Sequence, residues 1–90
     1  MKKVLLSVDE KNYECLVPDV VSNNLFDYID DFYNYLDNFK LIKHDDGRYE
    51  FTDNEVEGFI HWLNRMFKEQ SSVIKEVKDT SIEDLPSWNF

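Results

Sequence analysis

Residues 4–17 read VLLSVDEKNYECLV, and how this stretch folds decides what the rest of the chain must supply. Val4-Leu5-Leu6-Ser7-Val8 has the composition of a strand. Asp9-Glu10-Lys11-Asn12 is a polar turn, and Tyr13-Glu14-Cys15-Leu16-Val17 answers the first run. Folding one run onto the other across that turn pairs Val8 with Tyr13, Leu6 with Cys15 and Val4 with Val17. Strand side chains alternate sides, so those six residues share one face. A hairpin with one apolar face needs a cover, which amphipathic helices further along can provide. Pro18 cannot donate to a ladder and ends the second strand.

The cover begins at once. Asn23 to Phe39 reads NNLFDYIDDFYNYLDNF. Asn23 or Asn24 is suited to cap a helix. At the helical angular step, Leu25, Phe26, Tyr28, Ile29, Phe32, Tyr33, Tyr35, Leu36 and Phe39 fall in one half of the wheel. Asp27, Asp30, Asp31, Asn34, Asp37 and Asn38 fill the other. The inner stripe of Leu25, Ile29, Phe32 and Leu36 is the part a sheet would bury.

Leu41 to Phe51 reads as a second hairpin turned at Asp46-Gly47. Its register places Ile42 opposite Phe51 and His44 opposite Tyr49. On the other side, Lys43 faces Glu50 and Asp45 faces Arg48, both opposite charges. Thr52-Asp53-Asn54-Glu55 has the form of a capping box, with Phe51 and Val56 as its staple. The helix that follows presents Val56, Phe59, Ile60, Leu63, Met66 and Phe67 on one face. We place its end near Gln70. Ile74 and Val77 continue the same face if the helix runs past Ser71-Ser72, whereas residues 73–77 read alone form a strand. Residues 80–90 are a tail: a helical turn capped by Ser81, a stop at Pro86, then Ser87-Trp88-Asn89-Phe90. Trp88 and Phe90 either pin that tail to the core or present it to a partner. The expected architecture is α+β, a single domain over residues 1–90 with its core in 1–79. It runs in ββα-ββα order, with an antiparallel sheet covered on one face by two helices.

Composition narrows the function. At 42% hydrophobic and 16% aromatic the chain is too apolar for disorder, despite 32% charged residues. The 19 acids outnumber 10 bases for a net charge of −9, which opposes direct binding to nucleic acid or anionic lipid and favours basic protein partners. No run approaches the roughly 20 apolar residues of a membrane span. MKKVLLSV opens like a leader, but the polar 9–12 segment ends the apolar run too early. The single Cys15 leaves no internal disulfide and fits a reducing cytoplasm.

Catalytic chemistry finds few footholds. Cys15 sits in a strand on the apolar face, and His44 and His61 belong to other elements, so no nucleophile–base pair is expected. Glu57 and His61 are one helical turn apart, yet two ligands do not make a metal site. Asp45-Asp46-Gly47 and Asp53-Asn54-Glu55 read as a turn and a cap, since their spacing misses that of a calcium loop. Two isolated glycines cannot build a phosphate loop. We therefore expect no catalytic residues, no metal and no cofactor.

What remains is surface. Between Asn12 and Phe39 the acids Glu14, Asp19, Asp27, Asp30, Asp31 and Asp37 meet no base. Ordinary solvated helix faces mix signs, and like charges one turn apart cost a few tenths of a kcal/mol each. The expected binding face is Asp27, Tyr28, Asp30, Asp31, Tyr35 and Asp37, where tyrosine gives rigid apolar area beside carboxylates. The expected function is a non-enzymatic protein-binding protein, an inhibitor of the immunity or anti-defence type. It would dock this face on a basic surface of another protein and mimic a phosphate backbone. The alternative is a homodimeric adaptor joined through the aromatic half-wheel, its acidity serving solubility.

Overall fold

A computed structural model describes residues 1–38, 54–78 and 85–90, with only the backbone at 37 and 38. The sequence-predicted hairpin at 41–51, the Thr52 part of the capping box and the turn capped by Ser81 lie outside the described residues.

The opening hairpin pairs β1 (Lys2–Val8) with β2 (Lys11–Val17) in antiparallel fashion. Its register differs from the expected one. Val8 lies opposite Lys11, Leu6 opposite Tyr13 and Val4 opposite Cys15. The turn is two residues long, Asp9 and Glu10, and both hold positive φ, 52° and 66°. That is the geometry of the tight hairpin turn whose twist matches its strands, although neither residue is the glycine it favours. A slip of two residues preserves side-chain parity. The expected face is therefore intact: Val4, Leu6, Val8, Cys15 and Val17 are buried, and Tyr13 packs at their edge. Replacing Glu10 with glycine removes a left-handed Cβ, offset in part by glycine's greater freedom when unfolded. We expect Glu10→Gly to raise stability by about 0.5–1 kcal/mol, read from the urea midpoint at unchanged slope. A loss of stability would contradict the turn geometry.

After Pro18 a short α1 (Asp19–Asn23) leads into α2 (Leu25–Asn38). The Asn24 carbonyl accepts from the amides of Asp27 and Tyr28, which makes Asn24 the entry residue of α2. Neither asparagine caps with its side chain in the expected way. The Asn24 amide donates back to the Val20 carbonyl, and Asn23 Oδ1 accepts from Lys2 Nζ. The predicted inner stripe is confirmed, since Leu25, Ile29, Phe32 and Leu36 are all buried.

Helix α3 (Glu55–Met66) starts later than the box at Thr52 implies. Its cap is Asn54, whose Oδ1 accepts from the Glu57 amide at 3.0 Å. It also ends sooner than Gln70, because Phe67 turns to extended backbone (φ −114°, ψ 143°). The cause is Asn64. Its side-chain amide donates to the Ser71 carbonyl at 3.0 Å and accepts from the Ser71 amide at 2.6 Å. This pair of hydrogen bonds holds the exit loop against the last turn of the helix.

The chain then forms β3 (Ser72–Val77), antiparallel to β2, so the helical continuation of 73–77 is set aside. A bulge between Glu14 and Cys15 leaves Ile74 as the extra residue in β3. The last element, β4 (Ser87–Asn89), runs parallel to β1, giving sheet order β3-β2-β1-β4. The sheet is thus mixed, which corrects the antiparallel expectation. Proline is suited to the entry of β4: the Pro86 carbonyl accepts from the Leu5 amide, and the amide that proline lacks is not needed there. The Phe90 amide closes the other end on the Ser7 carbonyl.

Helices and sheet meet in one core, and the class is α+β as expected. Val56, Phe59, Ile60, Trp62 and Leu63 of α3 join the buried residues of α2 and the sheet. Phe32, at 1% exposure, is its aromatic centre. Its ring lies 5.5 Å from Phe59, 5.6 Å from Trp62 and 6.2 Å from Phe90. Trp88 and Phe90 both pack on the core, so the tail is pinned.

Candidate functional site

The half-wheel of α2 divides into two flanks with different neighbours. Tyr28 and Tyr35 lie toward α3. Tyr28 packs against Phe67 at 6.0 Å, and Tyr35 packs against Trp62 at 6.3 Å while its hydroxyl accepts from Arg65 Nη1 at 3.0 Å. Both are half-buried, serving the rim of the core. The opposite flank, Phe26 and Tyr33, lies toward the tail. Phe26 meets Trp88 edge-on at 5.5 Å, and Tyr33 lies 6.2 Å from Phe90. This flank is the open one, with Phe26 65% exposed and Tyr33 37%.

Asp27, Asp30 and Asp31 are exposed along the outer side of α2. Among the described residues no lysine or arginine pairs with any of them. Asp37 lies in the last turn of α2, and its side chain is outside the described residues. Of the six residues singled out from sequence, three aspartates therefore share an open acidic stripe, and the two tyrosines border it from the α3 side. The aromatics most open beside the stripe are Phe26 and Tyr33, together with the half-buried Trp88. The wheel separates Tyr28 and Tyr35 from Phe26 and Tyr33 and leaves both flanks partly exposed, but it does not say which is the more open. The docking of α3 and its exit on the first flank decides that.

A groove of about 350 Å³ runs along this flank, lined by Phe26, Asp27, Ile29, Asp30, Tyr33 and Trp88. The Trp88 Nε1–H is enclosed and has no acceptor among the described residues.

Two further polar centres, Cys15 and Glu14, lie in the sheet. Cys15 is buried, and burial pushes its thiol up to about 12, with the charges of Glu57 and Glu14 adding to the effect. It is protonated at neutral pH and is no nucleophile. Glu14, 5% exposed on the far side of the sheet, is held by Lys3 at 2.9 Å and by Lys75 at 3.9 Å. The hydrogen bond from Lys3 is the main reason its carboxyl sits below the ordinary 4.5; burial opposes the shift, and Lys75 adds to it. A depressed carboxyl stabilises the fold above its unfolded value, and that contribution disappears as pH falls through the folded value. We therefore expect the stability gap between wild type and Glu14→Gln to be constant from neutral pH down to about 5, then to shrink in more acid solution. Urea midpoints across that range measure it. A gap that stays constant in acid would remove Glu14 from this role.

Among the described residues no three His, Cys, Asp or Glu side chains gather as a metal site. His61 is exposed on α3, and among the described residues no helix is long and apolar enough to cross a membrane. Comparison with protein-family models, curated proteins and solved structures finds no match to this chain. What defines the molecule is a small mixed α+β fold that displays an acidic helix bordered by aromatic rings.

Proposed function

We propose that the protein is a non-enzymatic binding protein that docks the outer face of α2 on a basic surface of another protein. In its most natural form it is a stoichiometric inhibitor of the immunity or anti-defence type. The carboxylates of Asp27, Asp30 and Asp31 occupy positions that phosphates take on the partner, with Asp37 extending the row. The partner's Lys and Arg steer association, and the aromatic flanks slow release.

The observation that carries this reading is the stripe itself. Three exposed aspartates, with Asp30 and Asp31 each about one turn from Asp27, meet no cation among the described residues, although a net charge of −9 already secures solubility. Such a row costs helix stability. It repays that cost when an opposite charge arrives. The homodimeric alternative needs the aromatic half-wheel free, whereas Leu25, Ile29, Phe32 and Leu36 are buried and Tyr28 and Tyr35 half-buried in this fold, which leaves Phe26 and Tyr33 as its open part.

The test compares proteins captured from lysate by wild type with those captured by the Asp30→Lys/Asp31→Lys variant, both at low salt. A partner held stoichiometrically by wild type and lost by the variant supports the proposal. A partner held equally by both overturns it.

A further inference from the structure

We propose that the groove between α2 and β4 receives a single arginine side chain of the partner, an inference that rests on the acidic-face reading above and narrows it to one contact.

Three features lead there. Phe26 is the most exposed of the large apolar side chains in the described residues, and it is held edge-on by Trp88 instead of lying loose. A fixed, exposed ring is a ready stacking surface. Asp27 and Asp30 lie one turn apart on the lip of the same groove, without a cation among the described residues. The space, about 350 Å³, lies within the range of small-ligand sites and exceeds what one side chain needs. Rings from both α2 and β4, with two carboxylates of α2 beside them, match a cation that is flat, weakly hydrated and multiply donating. Guanidinium has those properties: it stacks on aromatic faces and meets carboxylate oxygens with paired N–H groups. Lysine offers a compact, strongly hydrated point charge, which loses more on leaving water and gains less from the rings. An acidic peptide is repelled by the lip, and a purely apolar one leaves the two carboxylates partly desolvated and unpaired.

The test is a titration of the whole protein with the peptide Ac-Gly-Arg-Gly-NH2, followed by two-dimensional amide NMR. The matching lysine and citrulline peptides are the controls, citrulline being the uncharged counterpart of arginine. The arginine peptide should shift the Trp88 indole resonance and the amides of Phe26, Asp30 and Tyr33 saturably. Lysine should bind about threefold or more weakly, and citrulline should not saturate. Phe26→Ala should weaken the arginine peptide about three- to tenfold, and Asp27→Asn/Asp30→Asn about tenfold or more. The changed side chains are exposed, so an unchanged Trp62 resonance verifies the fold of each variant. Shifts spread evenly over Asp31, Glu10 and the groove would overturn the inference, as would equal binding of arginine and lysine peptides or no effect of Phe26→Ala. The two proposals fail separately. If the peptide ignores the groove while Asp30→Lys/Asp31→Lys still abolishes partner capture, the arginine site falls and the acidic face stands. If that variant retains the partner, the acidic face falls regardless of the peptide result.

Discussion

Phe32→Ala should come close to unfolding this protein. The ring is 1% exposed and sits among Phe59, Trp62 and Phe90, so it joins α2 to α3 and to the chain that follows β4. Truncating a buried phenylalanine typically costs about 3–5 kcal/mol, the lost transfer energy plus the cavity left behind. A domain of this size has roughly 5–13 kcal/mol in total. Urea denaturation followed by circular dichroism should therefore show the midpoint falling by about a quarter or more. Phe32→Leu, which keeps most of the volume, should lose much less. A loss below about 1 kcal/mol for the alanine variant would mean that α2 is not anchored through this residue.

The Asp30→Lys/Asp31→Lys variant should behave in the opposite way, with stability preserved and binding lost. Both side chains are exposed, and neither has a cationic partner to lose among the described residues. A lysine placed four residues after Asp27 even creates a favourable helical pair, worth about 0.2–0.5 kcal/mol. Stability should thus hold within about 0.5 kcal/mol of wild type. Binding to a basic surface should fall a hundredfold or more, because each reversal replaces an attraction with a repulsion and such contacts are typically worth about 2–5 kcal/mol when desolvated. Calorimetric titration of the captured partner measures the second effect, and a melting curve the first. A variant that folds and still binds would locate the interface elsewhere.

Much of this was legible in the chain. The inner faces of β1, β2 and α2 follow directly from period and parity, and each is buried as expected. Register was not legible, because it depends on Asp9 and Glu10 adopting positive φ, which non-glycine residues advertise poorly. The end of α3 was missed for a similar reason. Asn64 stops the helix by clamping Ser71 through a side-chain contact that leaves no trace in hydrophobic period. Val73, Ile74 and Val77 fit helix and strand spacing equally, and only pairing with β2 decides between them. A three-residue parallel strand such as β4 is too short to carry any period. The candidate site inherits that blindness. The acidic stripe could be read from the wheel, whereas the groove could not, since its far wall is Trp88.

The most direct measurement is the affinity of the protein for its captured partner at about 0.05 M and about 0.5 M salt, made by titration at a single pH. Screening shortens the reach of exposed charges from above 10 Å to a few ångströms over that range. If the outer face of α2 docks as a row of phosphate-like charges, affinity should fall at least tenfold, and the Asp30→Lys/Asp31→Lys variant should show a much weaker dependence. Equal affinity at both salt concentrations would contradict an electrostatic role for this face.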